Sequence, residues 1–143
     1  MTVDNCIFCK IIKGEIPCAK VYEDQDVLAF LDLNPAAPGH TLVLPKKHAA
    51  TLLDLEPGTG DSLLQAMRKI GGALRDVAGA EGFNCVQNNF ASAGQEVMHL
   101  HWHVIPRREG DLVITAWRPG KYADMAQMAQ LAGQLLAAVE KSG

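Results

Sequence analysis

Histidine occupies every second position of the run Met-His-Leu-His-Trp-His-Val-Ile-Pro, which begins at residue 98. Successive side chains of a β-strand point to opposite faces, so this spacing predicts a strand over 98–105 with the imidazoles on one face and apolar side chains on the other. On a helix the same residues would scatter around the axis. The alternation therefore requires a sheet that buries one face. The three imidazoles belong to His99, His101 and His103.

Three imidazoles on one strand face allow two kinds of chemistry. They can chelate one metal ion that keeps a position open for a catalytic water, or they can act separately as a nucleophile, an acid and a structural partner. Neighbours on one face lie about 6.6–7 Å apart, whereas ligand atoms on one metal lie about 3–3.5 Å apart. The spacing leaves both possibilities open, and a solvated polar strand face is the third.

The rest of the chain predicts an α+β fold. Apolar residues at three- and four-residue steps predict helices over about 60–78 and 122–140, and a shorter helix is expected at 6–13. Five strands and two main helices with short connections indicate an antiparallel sheet, and 143 residues suggest one domain over 1–143. The four other β-rich runs lie at 20–23, 27–33, 40–45 and 83–89.

Glycines punctuate the helix predicted over 60–78. Gly79 suits its end. Gly71 and Gly72 weaken its middle intrinsically, which predicts close packing against another element at that point.

Charge and the amino-terminal sequence narrow the class of protein. The formal net charge of −3 argues against a general nucleic-acid binder, although a pocket can still be locally positive. The first residues lack the basic and apolar regions of an export signal, and no apolar run has the length of a membrane span. We therefore expect a cytoplasmic protein without a membrane or nucleic-acid partner, whose four cysteines are thiols or metal ligands.

Two cysteines near the start, Cys6 and Cys9, have the spacing of a metal-binding pair. A two-residue gap suits tetrahedral zinc, but one pair supplies only two ligands. A histidine pair is the obvious source of the others, and His48 and His99 are the candidates. A redox dithiol usually follows a strand of a parallel βαβ unit, which this pattern lacks. Zinc is therefore favoured over a redox pair and over inert buried thiols.

Two further segments are candidates for holding a nucleotide. Small residues in 88–96, directly before the histidine strand, let backbone N–H groups approach an anion such as phosphate; a plain hairpin loop is the alternative. On a strand, Phe30 and Asp32 would share a face, with the ring against a base and the carboxylate accepting ribose hydroxyls. On these residues alone, a core phenylalanine beside an exposed aspartate is the better explanation.

With these motifs the chain resembles the histidine triad (HIT) superfamily, whose signature is His-x-His-x-His followed by apolar residues. The resemblance implies an α+β subunit that forms a homodimer and cleaves purine nucleotide conjugates of AMP or GMP. Nucleoside phosphoramidates and dinucleoside polyphosphates are the two substrate classes it implies. The similar segments lie at 6–17, 32–40, 45–48 and 93–106.

The resemblance also implies roles for single residues. His101 would attack the α-phosphorus and form a nucleotidyl-histidine that water hydrolyses. His103 would contact the phosphate and the leaving group, and His40 would support the triad. A structural zinc is implied on Cys6, Cys9, His48 and His99, with no organic cofactor. Nucleotide contacts are implied for Phe30, Asp32, Leu33, Asn88, Gly94, Gln95 and Glu96, besides His101 and His103.

Glu96 departs from those branches of the family that have a hydroxyl residue at this position. A carboxylate there would repel phosphate unless it points away or is protonated. Three functions remain open: a nucleotide hydrolase that uses His101, a nucleotide-binding adaptor with little turnover, and a zinc hydrolase with its metal on all three triad histidines. We expect the leaving-group side to be shaped by residues near 117–122 and by a second subunit.

Overall fold

A computed structural model describes residues 3–114 and 119–141, and Trp117 of the expected leaving-group side lies outside them. The elements confirm an α+β fold. The helices are α1 (Ile7–Ile12), α2 (Gly60–Ala78) and α3 (Met125–Lys141), with short 3₁₀ turns at Leu52–Asp54 and Ala91–Ala93. The strands are β1 (Lys20–Glu23), β2 (Val27–Leu31), β3 (Thr41–Pro45), β4 (Gly82–Gln87) and β5 (Trp102–Arg107).

The five strands form one antiparallel sheet in the order β1-β2-β3-β5-β4. The β1–β2 hairpin turns at Asp24, whose carboxylate accepts hydrogen bonds from the backbone N–H groups of Asp26 and Val27. β5 lies between β3 and β4, so its backbone is fixed from both sides. His103 on β5 pairs with Leu42 of β3 and Val86 of β4. The last histidine of the triad therefore lies in the interior of the sheet.

The two faces of the sheet pack against different helices, as the period-2 pattern requires. Helices α2 and α3 cover one face, which contains Ala29 of β2, Val43 of β3 and Val104 of β5. The short helix α1 covers the other face, where Phe30 and Leu42 lie. His103 is on the α1 face, because it pairs with Leu42. On β5, the imidazole of His103 and the side chain of Val104 therefore lie on opposite faces of the sheet, as the alternation predicts.

Helix α2 follows the predicted apolar repeat and ends at Gly79, which has φ +67°. A Cβ on Gly71 would lie 2.3 Å from Cζ of Phe83 on β4, so the absence of a side chain lets the helix meet the edge strand. The prediction of close packing is confirmed at Gly71. It is wrong at Gly72, where nothing lies within 4 Å of a built Cβ.

β4 spans Gly82–Gln87 instead of the predicted 83–89, and two further predicted strand boundaries that are wrong lie at the candidate site. β2 ends at Leu31, not Leu33, because the Asp32 carboxylate accepts the N–H of Asn34 and turns the chain. β5 begins at Trp102, not at 98, so His99 and His101 precede the strand. There the Leu100 N–H donates to the Ala49 carbonyl, outside the sheet ladder. Among the described residues, no helix is both long and apolar enough to span a bilayer.

Candidate active site

The three histidines of the triad are all at least half buried, and only His103 lies on a strand. His99 is fully buried and His101 is 6 % exposed. The ring centroids of His101 and His103 are 5.0 Å apart. Because β5 begins only at Trp102, His99 and His101 do not lie on the strand and are not equivalent members of one strand face. Their backbone partners give each ring a different chemistry.

His101 has one ring nitrogen committed to the backbone. Its Nδ1 lies 2.6 Å from the carbonyl oxygen of His99, and a carbonyl can only accept, so Nδ1 carries the proton. Nε2 then holds the lone pair of the neutral ring. Burial lowers the pKa of His101, although the His99 carbonyl and the carboxylates of Asp32 and Glu96 oppose part of that shift. The ring is therefore neutral at neutral pH and has a nucleophilic nitrogen.

His40 and His103 form a hydrogen-bonded pair next to His101. The N–H of Ala36 donates to His40 Nδ1 at 2.9 Å, so the proton of the neutral His40 ring sits on Nε2. His40 Nε2 lies 2.9 Å from His103 Nδ1 and donates to it. His103 therefore carries its proton on Nε2, which makes it a hydrogen-bond donor. Burial lowers the pKa of His40 to about 4 and that of His103 to about 3.

Asp32 lies beside this pair, with Oδ2 3.7 Å from His40 Nε2. Burial raises the pKa of its carboxyl group against the hydrogen bond from Asn34. Asp32, His40 and His103 are close enough to ligate one ion, but the 2.9 Å between the two imidazole nitrogens is a hydrogen-bond distance. We therefore interpret this group as a hydrogen-bonded one.

The two predicted neighbours of Asp32 have opposite environments. Phe30 is buried among core residues, with its ring 5.6 Å from that of Phe8 and nearly perpendicular to it. Leu33 is 63 % exposed. Since β2 ends at Leu31, Phe30 and Asp32 do not share a strand face, and that part of the prediction is wrong. A base contact by Phe30 or Leu33 stays a prediction.

Gln95 braces the loop that precedes the triad. Its side-chain amide donates to the carbonyls of Ala50 and Val97, and its Oε1 accepts the N–H of Phe90 at 2.7 Å. Phe90 has φ 71° and ψ 159°, a conformation that non-glycine residues rarely adopt. Gly94 closes the turn with φ +95°. The amide of Gln95 is thus used inside the protein, while residues 91–94 are exposed.

The remaining predicted residues of the loop lie at its two ends. The side chain of Asn88 lies next to Gly94, 3.5 Å from a Cβ built there. Glu96 is exposed, and its charge acts on His101. Asn89, which the sequence did not single out, ties the loop to the next segment by accepting the N–H of Leu52 at 2.8 Å. The loop backbone is consequently held from several sides.

A second cluster lies on the other side of His99 and brings together all four predicted metal ligands, Cys6, Cys9, His48 and His99. The Nδ1 atoms of His48 and His99 are 3.2 Å apart, and Cys9 Sγ lies 3.4 Å and 3.6 Å from them. Cys6 Sγ lies 3.4 Å from His99 Nδ1. His99 Nε2 donates to the Pro45 carbonyl, so Nδ1 offers its lone pair to the cluster. These residues could hold a metal ion.

Helix α1 connects the two clusters. Cys6 caps the helix by accepting the N–H of Cys9, which brings both thiols to its first turn. Phe8, between them, packs edge-on against His99 and His101, with centroids 5.9 Å and 5.2 Å away. Sequence reasoning missed Phe8, although it stands inside the Cys-x-x-Cys motif. Phe8 thus packs against both the His101 ring and the cluster of Cys6, Cys9, His48 and His99, which we call the metal-ligand cluster.

Comparisons with known proteins show the family of the chain. The model of a family described as the HIT domain matches residues 13–110. The chain belongs to the HIT domain family. Adenosine 5'-monophosphoramidase hnt1 of Schizosaccharomyces pombe is 45 % identical over 103 residues, which are 72 % of this chain and 74 % of that protein. Adenylylsulfatase HINT3 of Arabidopsis thaliana is 44 % identical over 108 residues, 76 % of this chain and 55 % of that protein.

Solved structures of HIT proteins have the same fold. The crystal structure of a Zn-bound histidine triad family protein from Mycobacterium smegmatis matches with a TM-score of 0.86 and 35 % identity. The match covers 96 % of this chain and 95 % of that one. The named relatives include nucleotide hydrolases, which supports a hydrolase function at the level of the family.

The buried, neutral His40 predicts a loss of stability in acid. The unfolded ring has a pKa of 6.5 and the folded one about 4, so the unfolded chain binds more protons between these values. The free energy of unfolding should therefore fall as the pH decreases from 6.5 to 4, by about 3 kcal/mol for this residue. Urea unfolding of the wild type and of His40→Gln at neutral pH and near pH 5 measures it. Equal losses in both proteins would contradict the prediction.

Proposed function

We propose that the protein hydrolyses purine nucleoside phosphoramidates through a nucleotidyl intermediate on His101. The observation that carries this proposal is the hydrogen bond from His101 Nδ1 to the His99 carbonyl, which leaves the lone pair on Nε2. A neutral imidazole held in one tautomer is a competent nucleophile toward phosphorus. The hydrolase names of the relatives support the same reaction class.

The first step is a displacement at the α-phosphorus. His101 Nε2 forms a bond to phosphorus while the phosphorus–nitrogen bond breaks, and its electron pair stays with the leaving amine. The leaving nitrogen takes its proton from solvent and departs as the neutral amine, while the Nε2–H of His103, fixed there by the hydrogen bond from His40, donates a hydrogen bond to the reacting group and keeps its proton. In the second step water attacks phosphorus, the bond between phosphorus and His101 Nε2 breaks with its electron pair returning to the ring, and the proton of the water goes to solvent. The nucleoside monophosphate leaves, and His101 is neutral again.

Binding uses the two segments that flank the histidines. Asp32, next to His40, accepts the ribose hydroxyls. The backbone N–H groups of the loop over 88–96, which Gln95 holds in place, hydrogen-bond the phosphate oxygens. Phe30, Leu33, Asn88 and Gly94 complete the nucleotide pocket. In this arrangement the backbone N–H groups of the loop bind the phosphate, and the Asp32 carboxylate binds the sugar.

Zinc is the metal we propose for the cluster of Cys6, Cys9, His48 and His99. Zinc bonds of about 2.0–2.1 Å to nitrogen and 2.3 Å to sulfur separate tetrahedral ligand atoms by about 3.3–3.8 Å. The four measured distances, 3.2–3.6 Å, are close to that range. Four protein ligands leave no open position, so the ion has a structural role. It would fix α1 and His99, whose carbonyl orients His101.

We further propose that two copies form a homodimer through the edge of the sheet. β4 is the last strand of the sheet, and its residues Gly82, Phe83 and Cys85 are exposed. An edge strand offers a row of unpaired backbone groups to another chain. Pairing of β4 with the same strand of a second copy would continue the sheet.

The charges around His101 favour an amine over a polyphosphate as the leaving group. Two carboxylates, Asp32 and Glu96, act on the His101 ring, and both would repel an anionic leaving group. We expect kcat/KM to be higher for an adenosine phosphoramidate than for diadenosine tetraphosphate. Glu96→Gln should raise the rate with the tetraphosphate by about threefold, as for a partly screened charge, and leave the phosphoramidate rate nearly unchanged.

A matched control is Glu109→Gln, which removes an exposed carboxylate beyond the far end of β5. Its ratio of the two kcat/KM values should equal that of the wild type. A wild type that prefers the tetraphosphate, or the same ratio in Glu96→Gln and Glu109→Gln, would overturn the assignment of the leaving group. Nucleotide binding without turnover of either substrate would indicate an adaptor instead.

A further inference from the structure

Residues 119–124, which lead into α3, are hydrogen-bonded to the turn that carries Asp32 and His40. The N–H of Gly120 donates to the Pro35 carbonyl at 2.9 Å, and the N–H of Gly39 donates to the phenolic oxygen of Tyr122 at 2.8 Å. A Cβ on Gly120 would lie 2.7 Å from the Pro35 oxygen, so this close approach requires glycine. Two hydrogen bonds thus hold the turn at both of its ends.

Gly39 has little freedom in this arrangement. Its φ is +100°, and a Cβ there would lie 2.8 Å from Cδ2 of Leu74 on α2. Its carbonyl accepts the hydroxyl of Thr41 at 2.8 Å, and its buried N–H has Tyr122 as a partner. A buried backbone N–H needs an acceptor. The Tyr122 oxygen supplies one directly before His40.

The proton position on His40 depends on the shape of this turn. The donor to His40 Nδ1 is the N–H of Ala36, four residues earlier in the same turn, and the His40 N–H donates to the Ala37 carbonyl. If the Gly39 end of the turn moves, the distance from Ala36 to the ring changes. Nδ1 then competes with Nε2 for the proton, and the donation to His103 weakens.

We propose that Tyr122 is a positioning residue of the site. Its hydroxyl oxygen accepts the N–H of Gly39, so that His40 keeps its proton on Nε2 and donates a hydrogen bond to His103. The inference rests on the proposed function. Tyr122 acts through the turn rather than by touching the substrate. Burial raises the pKa of its phenol, with the nearby Asp32 charge adding to the shift, so the hydroxyl is neutral at neutral pH.

The chain provides its own control, because it has two tyrosines. Tyr22 donates its hydroxyl to Asp24 at the β1–β2 turn, outside the site. Tyr122→Phe removes the acceptor for Gly39, whereas Tyr22→Phe makes the same chemical change elsewhere. We expect Tyr122→Phe to lower kcat by about tenfold, because the N–H of His40 that donates to His103 is misplaced, and to keep KM within about twofold of the wild-type value. Tyr22→Phe should match the wild type.

A spectroscopic readout tests the same point without turnover. Long-range ¹H–¹⁵N correlation spectra of the ligand-free protein distinguish the two neutral tautomers of His40. The wild type and Tyr22→Phe should show the Nε2–H form, and Tyr122→Phe a mixture. An unchanged tautomer, or a kcat equal to that of Tyr22→Phe, would overturn the proposal. An inactive wild type would refute the proposed function instead, and the tautomer would still decide the role of Tyr122.

A second variant covers the case in which Tyr122→Phe does not fold. Gly120→Ala keeps the hydroxyl but places a Cβ 2.7 Å from the Pro35 oxygen, so it displaces the same segment. It should change kcat and the His40 tautomer in the same direction. If Gly120→Ala leaves both at their wild-type values, the segment does not position His40 and the proposal is wrong.

Discussion

Replacement of His101 by alanine is expected to lower kcat/KM for an adenosine phosphoramidate by at least about 10³-fold, because it removes the nucleophile. The hydrogen bonds of the triad involve Nε2 of His99, Nδ1 of His101 and Nδ1 of His103, and they leave the lone pair of the His101 ring on Nε2. His103 cannot replace His101 as the nucleophile, since its Nδ1 accepts a hydrogen bond from His40. Steady-state assays of the two proteins measure the loss.

Two measurements accompany this variant. The metal content of His101→Ala should stay close to that of the wild type, since His101 is not among the clustered Cys and His ligands. Binding of AMP should persist, because the loop and Asp32 are unchanged. Undiminished turnover in His101→Ala would sink the assignment, and a wild type that binds AMP tightly without turnover would favour an adaptor.

Replacement of Cys6 by alanine is expected to release the proposed zinc and to destabilise the fold. Cys6 is 9 % exposed, and its Sγ is one of the four proposed ligand atoms and also caps α1. Binding energy of a structural metal is folding energy. A loss of about 3 kcal/mol would lower the melting temperature by about 10 °C in a domain of this size. Metal analysis and thermal unfolding, with and without a chelator, measure both effects.

Cys85→Ala is the matched control, because Cys85 is exposed on β4 and lies outside the cluster. It should keep the full metal content, since no proposed ligand changes. Full zinc retention in Cys6→Ala would show that the ion sits elsewhere. A chelator that abolishes activity while leaving the melting temperature unchanged would favour a zinc hydrolase with its metal on the triad histidines.

The alternation of the triad predicted the sheet and the separation of faces on β5, since Trp102 and Val104 do pack toward α2 and α3. It did not predict that the strand begins only at Trp102. The reason is a backbone hydrogen bond from Leu100 to Ala49, a partner 51 residues earlier that no local pattern specifies. The same departure from the ladder gives His99 and His101 separate partners.

The metal-ligand cluster was predictable because the Cys-x-x-Cys spacing limits the partners to the few histidines of the chain. The proton positions were not. They depend on three backbone groups, the carbonyls of Pro45 and His99 and the N–H of Ala36, whose positions only the folded chain defines. The segment near 117–122 was expected to shape the leaving-group side, but no local pattern predicted that Tyr122 accepts the N–H of Gly39.

The central claim is that the nucleotide becomes bonded to His101. Rapid acid-free quenching of the wild type during turnover of an adenosine phosphoramidate, followed by peptide mapping with mass spectrometry, tests it most directly. The account predicts one adenylyl group on the peptide that contains His101, absent from the same peptide of His101→Ala. An adenylyl group on His103 or His40, or sustained turnover with no protein adduct at any quench time, would contradict it.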